Sequence, residues 1–236
     1  MEIVSRSDRG RVRTNNEDAV AIGQSEDVAV LADGMGGLNA GEVAATLAVQ
    51  RVLQALPSAG SVTEETLRDA VRQANLAVFE RSRSKSDYAM MGTTLVVWVH
   101  TGGRACLVAN VGDSRGYQFA DGTLSRITHD HSLVQELVDD GLISAEEALT
   151  APNRNIITRA VGLDAKVDVD VFKIRRVPGD LILLCSDGLT DLVHDPAITR
   201  ILNEAASIGL EVVADKLIAT ANQAGGLDNI TVVLIR

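Results

Sequence analysis

Apolar residues recur along this chain with two different periods, and each change of period marks a new element. Up to about Gly41 the pattern is one of extended runs separated by turns, among them Ala19-Val20-Ala21-Ile22 and Val28-Ala29-Val30-Leu31-Ala32. From Gly41 the spacing becomes helical: Ala45, Val49, Val52 and Leu56 share one face, and Pro57-Ser58-Ala59-Gly60 forms a stop. A second helix is expected to start from a cap at Ser61 or Thr63 and to carry the stripe Leu67, Val71, Ala74 and Val78. Extended runs return from Thr93 to His100, turn at Gly102-Gly103 and come back from Ala105 to Val111. They continue through Tyr117-Gln118-Phe119 to an Asp121-Gly122 hairpin turn. Consecutive hairpins favour antiparallel pairing over a parallel sheet with crossover helices.

Between Asp130 and Gly162 short polar helices interrupt the strand pattern. Leu133, Val134, Leu137 and Val138 precede a Gly141 stop, and Ser144 with Glu147 spells a capping box. This stretch reads as an excursion over the rim of the sheet. Strands resume with strict alternation at Val167-Asp168-Val169-Asp170-Val171 and with a continuous apolar run from Leu181 to Ser186. A last amphipathic helix, with Leu210, Ala214, Leu217 and Ala221, ends at Gly225-Gly226 before the closing run from Ile230 to Ile235. The order of strands, two helices, strands, helix and strand predicts an α+β fold with two stacked sheets and helices outside them. No repeat, low-complexity tract or long linker divides the chain, so one domain over 1–236 is expected.

Composition narrows the class. With 46% hydrophobic and 23% charged residues, the 236-residue chain is apolar enough to bury one large core, which excludes disorder. Aromatics make up only 3%, so that core must be built from Val, Leu, Ile and Ala. A net charge of -10 argues against DNA, RNA or anionic lipid as partners, because those surfaces require a basic footprint. Any phosphate substrate has to be met by local charge. Cys106 and Cys185 lie inside apolar runs and read as buried thiols of a reducing compartment, with a disulfide as the lesser alternative. The chain has no membrane-length apolar run and no basic-then-apolar start, which leads to the expectation of a cytoplasmic protein.

Five aspartates sit at the ends of apolar runs. Asp33, Asp113 and Asp187 follow such runs, whereas Asp18 and Asp228 precede them. If the runs are antiparallel neighbours, starts and finishes meet on one rim of the sheet and all five carboxylates converge there. Uncompensated carboxylates repel one another unless cations hold them together, so the pattern predicts a metal centre of oxygen ligands. Such ligands favour Mg²⁺ or Mn²⁺ over Zn²⁺, which wants His or Cys. Two ions about 3.5 to 4 Å apart lower the pKa of a bridging water and stabilise in-line displacement at phosphorus. Taken singly, each aspartate is better explained by turn chemistry, a helix cap or a surface ion pair. Their joint arrangement reverses that preference.

Other phosphate chemistries fail on residue grounds. A cysteine phosphatase needs an Arg at a fixed short distance after its thiolate, where this chain has Asp191 after Cys185 and Gly112 after Cys106. A Walker loop needs Lys and Ser/Thr after its glycines, and Asp33-Gly34-Met35-Gly36-Gly37-Leu38 has neither. Met35 and Gly37 rule out an EF-hand, and Asp168-Val169-Asp170 is better read as the solvent face of a strand than as an aspartyl-phosphate nucleophile. Six stretches then remain in order: Arg13-Thr14-Asn15-Asn16-Glu17-Asp18, Asp33-Gly34-Met35-Gly36-Gly37, Met91-Gly92-Thr93-Thr94, Val111-Gly112-Asp113-Ser114-Arg115, Ser186-Asp187-Gly188-Leu189 and Asp228-Asn229-Ile230-Thr231-Val232-Val233. Together they resemble the metal-dependent Ser/Thr protein phosphatases of type 2C, the PPM family, in its compact bacterial form without a regulatory extension.

The resemblance implies an α-β-β-α sandwich, a binuclear Mg²⁺ or Mn²⁺ site in a cleft at one edge, and a small helical flap at about 130–162. It implies that Asp33 bridges two metals, that the Gly34 carbonyl and the carboxylates of Asp187 and Asp228 add ligands, and that Glu17 and Asp18 hold metal-bound waters. Arg13 would grip the phosphate, and Asp113 with Asp187 matches the place of a third, weaker metal. Thr93 and Thr94 are expected to support the rim. The leaving-group acid is unassigned, because Met35 and Leu38 stand where relatives carry His. His131 is the candidate, set against a structural hydrogen bond for the same ring and against protonation by water. The activity implied is hydrolysis of phosphoserine and phosphothreonine in proteins, opposing a bacterial Ser/Thr kinase that is itself a substrate. Small phosphomonoesters, or a catalytically silent binding module, are the alternatives. A monomer meets every requirement.

Overall fold

A computed structural model describes residues 1–25, 27–37, 40–56 and 62–236. The expected stop at 57–60, the alternative cap at Ser61 and the departure at Leu38 lie outside them. In chain order the elements are β1 (Ile3–Asp8), β2 (Asp18–Ile22), β3 (Val28–Met35), α1 (Ala40–Ala55), α2 (Glu64–Ser82), β4 (Gly92–Thr93), β5 (Leu95–Gly102), β6 (Ala105–Val111), β7 (Arg115–Ala120) and β8 (Thr123–Arg126). There follow α3 (Leu133–Asp139), α4 (Ala145–Thr150), β9 (Asp170–Arg175), β10 (Leu181–Cys185), α5 (Asp187–Thr190), α6 (Asp195–Leu202), α7 (Ala205–Ile208), α8 (Leu210–Gln223) and β11 (Ile230–Ile235). The strands form two antiparallel sheets, ordered β1-β11-β10-β7-β8 and β2-β3-β5-β6-β9, with β4 paired to β3.

The layering follows from the alternation of side chains along each strand. In β3, Val28, Val30 and Ala32 pack against α1 and α2, while Ala29 and Leu31 meet the other sheet. In β10, Leu181, Leu183 and Cys185 pack toward α6 and α8, while Ile182 and Leu184 complete the layer between the sheets. Both faces of the central strands are therefore covered, which is why their sequences are continuously apolar instead of alternating. Truncating a side chain in such a layer costs about 2 to 5 kcal/mol, so the sheets provide a stiff floor for the residues at their ends. The fold is thus a helix-sheet-sheet-helix sandwich of the α+β class.

Local signals hold in detail. Thr63 caps α2 in a reciprocal box with Thr66, and the stripe Leu67, Val71, Ala74 and Val78 is buried. Ser144 and Glu147 form the second box. Asp121 and Gly122 both have positive φ, 49° and 75°, as a tight hairpin turn with right-handed strands requires. Four expectations need correction. β3 does not end at Asp33 but runs on to Met35, because Gly34 and Met35 pair with Thr93 and Gly92 of β4. The run from Thr93 is broken at Thr94 into β4 and β5. β9 covers Asp170–Arg175 rather than 167–171, and Asp170 is held by Arg159 and His131 instead of facing only solvent. Between β10 and β11 the chain forms α5, α6 and α7 ahead of the one helix expected there; α5 and α7, four residues each, are too short to carry a periodic signal, whereas α6 buries Ile198 and Leu202 at helical spacing.

The excursion between β8 and β9 carries α3 and α4 and is pinned at both ends. Leu133 N–H donates to the Ile156 carbonyl at 2.9 Å, and Val161 forms a two-way bridge with Thr93 of β4. Among the described residues no helix is long and apolar enough to cross a membrane.

Candidate metal centre

The five aspartates converge, although not on one sheet. Asp18 and Asp33 face each other across the β2–β3 pair and Asp113 follows β6, all on one sheet; Asp187 follows β10 and Asp228 precedes β11 on the other. Stacking brings the two rims together. A direct bond marks the junction: Ser186 Oγ, next to β10, donates to Asp18 Oδ2 at 2.9 Å and accepts the Thr231 N–H at 3.0 Å.

The backbone around each carboxylate is fixed by neighbouring side chains. Thr94 Oγ1 accepts the Asp33 N–H at 3.0 Å, and Thr93 Oγ1 donates to the Asp33 carbonyl at 2.8 Å. Both threonines thus support the rim, as expected. Asp228 Oδ1 accepts the N–H of Asn229 at 2.8 Å. The Asn229 side chain in turn accepts the Glu17 N–H at 2.8 Å and donates to the carbonyls of Arg9 and Asn15 at 3.0 and 2.7 Å. Asn229 therefore clamps the segment carrying Arg13 and Glu17 to the end of β11, a role the sequence reading did not assign it. The sequence showed only an Asn directly after Asp228, ahead of a β-branched run; its burial, which obliges its amide to find partners, emerges on folding. Two glycines permit close backbone approach: a Cβ on Gly34 would overlap the Gly41 carbonyl, and one on Gly188 would overlap that of Asn229.

Electrostatics define the centre. Burial pushes the Asp33 carboxyl well above its ordinary range, and repulsion from Asp18, Asp187, Asp113 and Asp228 adds to it. Asp187 is raised in the same way, by burial and then by Asp113, Asp191, Asp228 and Asp18. Asp18 is pushed up to about 6, mainly by burial and against hydrogen bonds from Thr231 and Ser186. Asp113 rises to about 7, again mainly by burial, with Asp130 repelling it. Buried oxygens of Asp18, Asp113 and Asp187 have no hydrogen-bond partner. Buried acidic oxygens without protein donors are what a hard divalent cation would satisfy, so the donor set fits Mg²⁺ or Mn²⁺. Among the described residues no group of His, Cys, Asp and Glu forms a ready-made cage. The fit therefore includes backbone carbonyl and water, as Mg²⁺ coordination normally does.

The remaining candidates lie around this core. Arg13 is half-exposed and its guanidinium donates to Asp228 Oδ2 at 2.6 Å, which raises its pKa further. Glu17 is half-buried, with its carboxyl raised by burial, and its side chain lies against Gly41. His131 is placed differently from a free acid. Its Nδ1 accepts the Gly112 N–H at 3.0 Å while the backbone N–H of His131 donates to the Gly112 carbonyl. Its Nε2 lies 3.2 Å from Asp170 and 3.0 Å from Arg159, and burial lowers its pKa. With Nδ1 accepting, Nε2 carries the proton toward Asp170. The ring thereby positions the turn before Asp113. Asp191 was not anticipated: it lies near Asp187 and Asp113, pairs with Arg154 at 3.5 Å, and joins Asp113 and Asp187 in lining a cleft of about 460 Å³ beneath α3 and α4.

The family described as Protein phosphatase 2C matches residues 8–220. The chain belongs to that family. It is 40% identical to a serine/threonine phosphatase, stp, of Listeria welshimeri over 98% of this chain and 93% of the relative. Its fold is similar to the crystal structure of the serine/threonine phosphatase PstP/Ppp of Mycobacterium tuberculosis, with a TM-score of 0.91 and 39% identity over 99% of this chain and 97% of the other. A second structure, the PstP catalytic domain in complex with two manganese ions, superposes with a TM-score of 0.87 at 39% identity, covering 99% of this chain and 96% of that one.

Proposed function

We propose that the chain is a divalent-metal-dependent protein phosphatase that hydrolyses phosphoserine and phosphothreonine in proteins. The observation that carries this is the convergence of five aspartates from two sheets, with buried acid oxygens left without protein donors. Full-length likeness to Ser/Thr phosphatases, one of them with two manganese ions, supports it. Asp33, Asp187, Asp228 and the Gly34 carbonyl would hold two Mg²⁺ or Mn²⁺ ions, and Asp113 with Asp187 a third. Glu17 and Asp18 would order the water around them. Such ions supply an acidified water nucleophile and a positive field for phosphate in a chain of net charge -10.

The chain's own residues do the rest. Arg13 offers a planar fork matched to phosphate oxygens, and it reaches substrate by exchanging its bond to Asp228. Thr93 and Thr94 hold the Asp33 backbone, and the Asn229 N–H holds Asp228 Oδ1, so both acids are positioned before substrate binds. His131, engaged at both ring nitrogens, positions Asp113 and leaves protonation of the leaving group to water. The stretch 130–162 serves as a flap in a single catalytic domain, 1–236, that acts as a cytoplasmic monomer. Its phosphoprotein substrates include a Ser/Thr kinase. Assays with a phosphothreonine peptide and Mn²⁺ test this reading: hydrolysis should be abolished by EDTA and by Asp187→Asn. Hydrolysis of p-nitrophenyl phosphate without any action on phosphopeptides would redirect it to small phosphomonoesters.

A further inference from the structure

A second concave feature lies where α2 gives way to β4. A cleft of about 410 Å³ is walled by Phe79, Ala89, Met90 and Leu163 and flanked by Arg83 and Lys85. Met90 is 79% exposed and Leu163 39% exposed, so large apolar side chains gather at the surface here. Met90 also has φ +62°, a conformation that Gly or Asn adopts with less strain. Its neighbour Met91 is fully buried. The turn therefore sends one methionine into the core and holds the other out at the mouth of the cleft.

Charge at the cleft is opposite to that of the molecule. Arg83 lies over the Phe79 ring at 5.5 Å and Lys85 over Tyr88 at 5.8 Å. Neither makes an ion pair among the described residues, and no acidic residue lines the cleft, although the chain as a whole carries -10. Two cations that rest on aromatic rings with no carboxylate paired to them, beside an adaptable apolar pocket, select a ligand that is acidic with one apolar anchor. We propose that this cleft docks an acidic segment of a protein partner through one large apolar side chain. An anionic membrane is a poorer match, because the cations are confined to one concave spot on an acidic protein. The site adjoins the frame of the metal centre: β4 follows directly after Met91, its Thr93 donates to the Asp33 carbonyl, and Val161, just before Gly162 and Leu163, bridges Thr93.

Fluorescence anisotropy of the full chain with a short fluorescein-labelled peptide, Asp and Glu residues around a single Phe, tests the proposal. Saturable binding tighter than about 1 mM is expected. Met90→Ala, and separately Arg83→Glu with Lys85→Glu, should weaken it by about tenfold or more. A peptide with Ala for Phe, or Lys for the acids, should not bind. Thermal melting and p-nitrophenyl phosphate hydrolysis should be unchanged in these variants, which separates a docking defect from misfolding. Absence of saturable binding below about 1 mM, equal binding by wild type and variants, or preference for phosphatidylserine vesicles over the peptide would each overturn it. Because the readout is binding, the result stands independently of the phosphatase reading.

Discussion

Asp130 and Asp187 each leave one buried carboxylate oxygen without a hydrogen-bond partner, yet only Asp130 has cations of its own. Arg115 donates to Asp130 from two nitrogens at 2.9 and 2.7 Å, and Arg126 reaches it at 3.2 Å. Asp187 is instead surrounded by Asp113, Asp191, Asp228 and Asp18, which with burial hold its carboxyl well above the ordinary range. Both sites line the same cleft. Hydrogen bonding therefore does not distinguish structure from function here; compensation of charge does. Where two arginines converge on one acid, as on Asp130, it is part of the scaffold; Asp187, ringed by other acids, awaits an external cation, and at Asp228 the half-exposed Arg13 is a counter-charge that a phosphate can draw away.

Substitutions should separate the two sites. The largest effect is expected for Asp187→Asn, which should lower kcat by about a thousandfold, as loss of a charge-stabilising group in a catalytic site does. In EDTA the same variant should melt higher than wild type, because one member of a repelling set is gone. Arg115→Ala should do the reverse. It strips a buried partner from Asp130 and should cost about 3 kcal/mol in chemical denaturation, with or without Mn²⁺.

A pH series sharpens the contrast. The folded chain holds protons on Asp18 and Asp113 up to about 6 and about 7, above the ordinary 3.8. Folding thus gains a stabilising term that is fully present below 3.8 and lost as pH rises through those raised values. Metal-free wild type and Asp113→Asn should melt alike below about 3.8 and draw apart as pH rises to about 7, with the gap constant above that and wild type the less stable; Mn²⁺ should close it. A smaller effect is expected for Thr94→Val, which leaves the Asp33 N–H unpaired and should cost about 1 kcal/mol. Melting curves across pH and denaturant check both.

Strand identity and layering were legible because apolar runs such as Val28–Ala32 and Leu181–Cys185 report burial of both faces directly, and caps at Thr63 and Ser144 are written locally. The aspartates were legible as a set because strand ends meet at sheet rims. Their division between two sheets was not, since strand order depends on contacts as distant as Ile3 with Ile235. The same holds for Asn229, whose partners Arg9, Asn15 and Glu17 lie at the other end of the chain. The Arg13–Asp228 pair and the double engagement of His131 also arise only on folding. The helices α5 and α7 are too short for periodicity to reveal.

The central claim is that acids gathered around Asp33 and Asp187, with only the half-exposed Arg13 paired to one of them, form one divalent-cation site. Anomalous diffraction from crystals grown with Mn²⁺ tests it most directly. Two strong peaks are predicted among Asp33, Asp187, Asp228 and the Gly34 carbonyl, with a weaker third at Asp113. Manganese bound elsewhere, with those carboxylates free of it, would contradict the account.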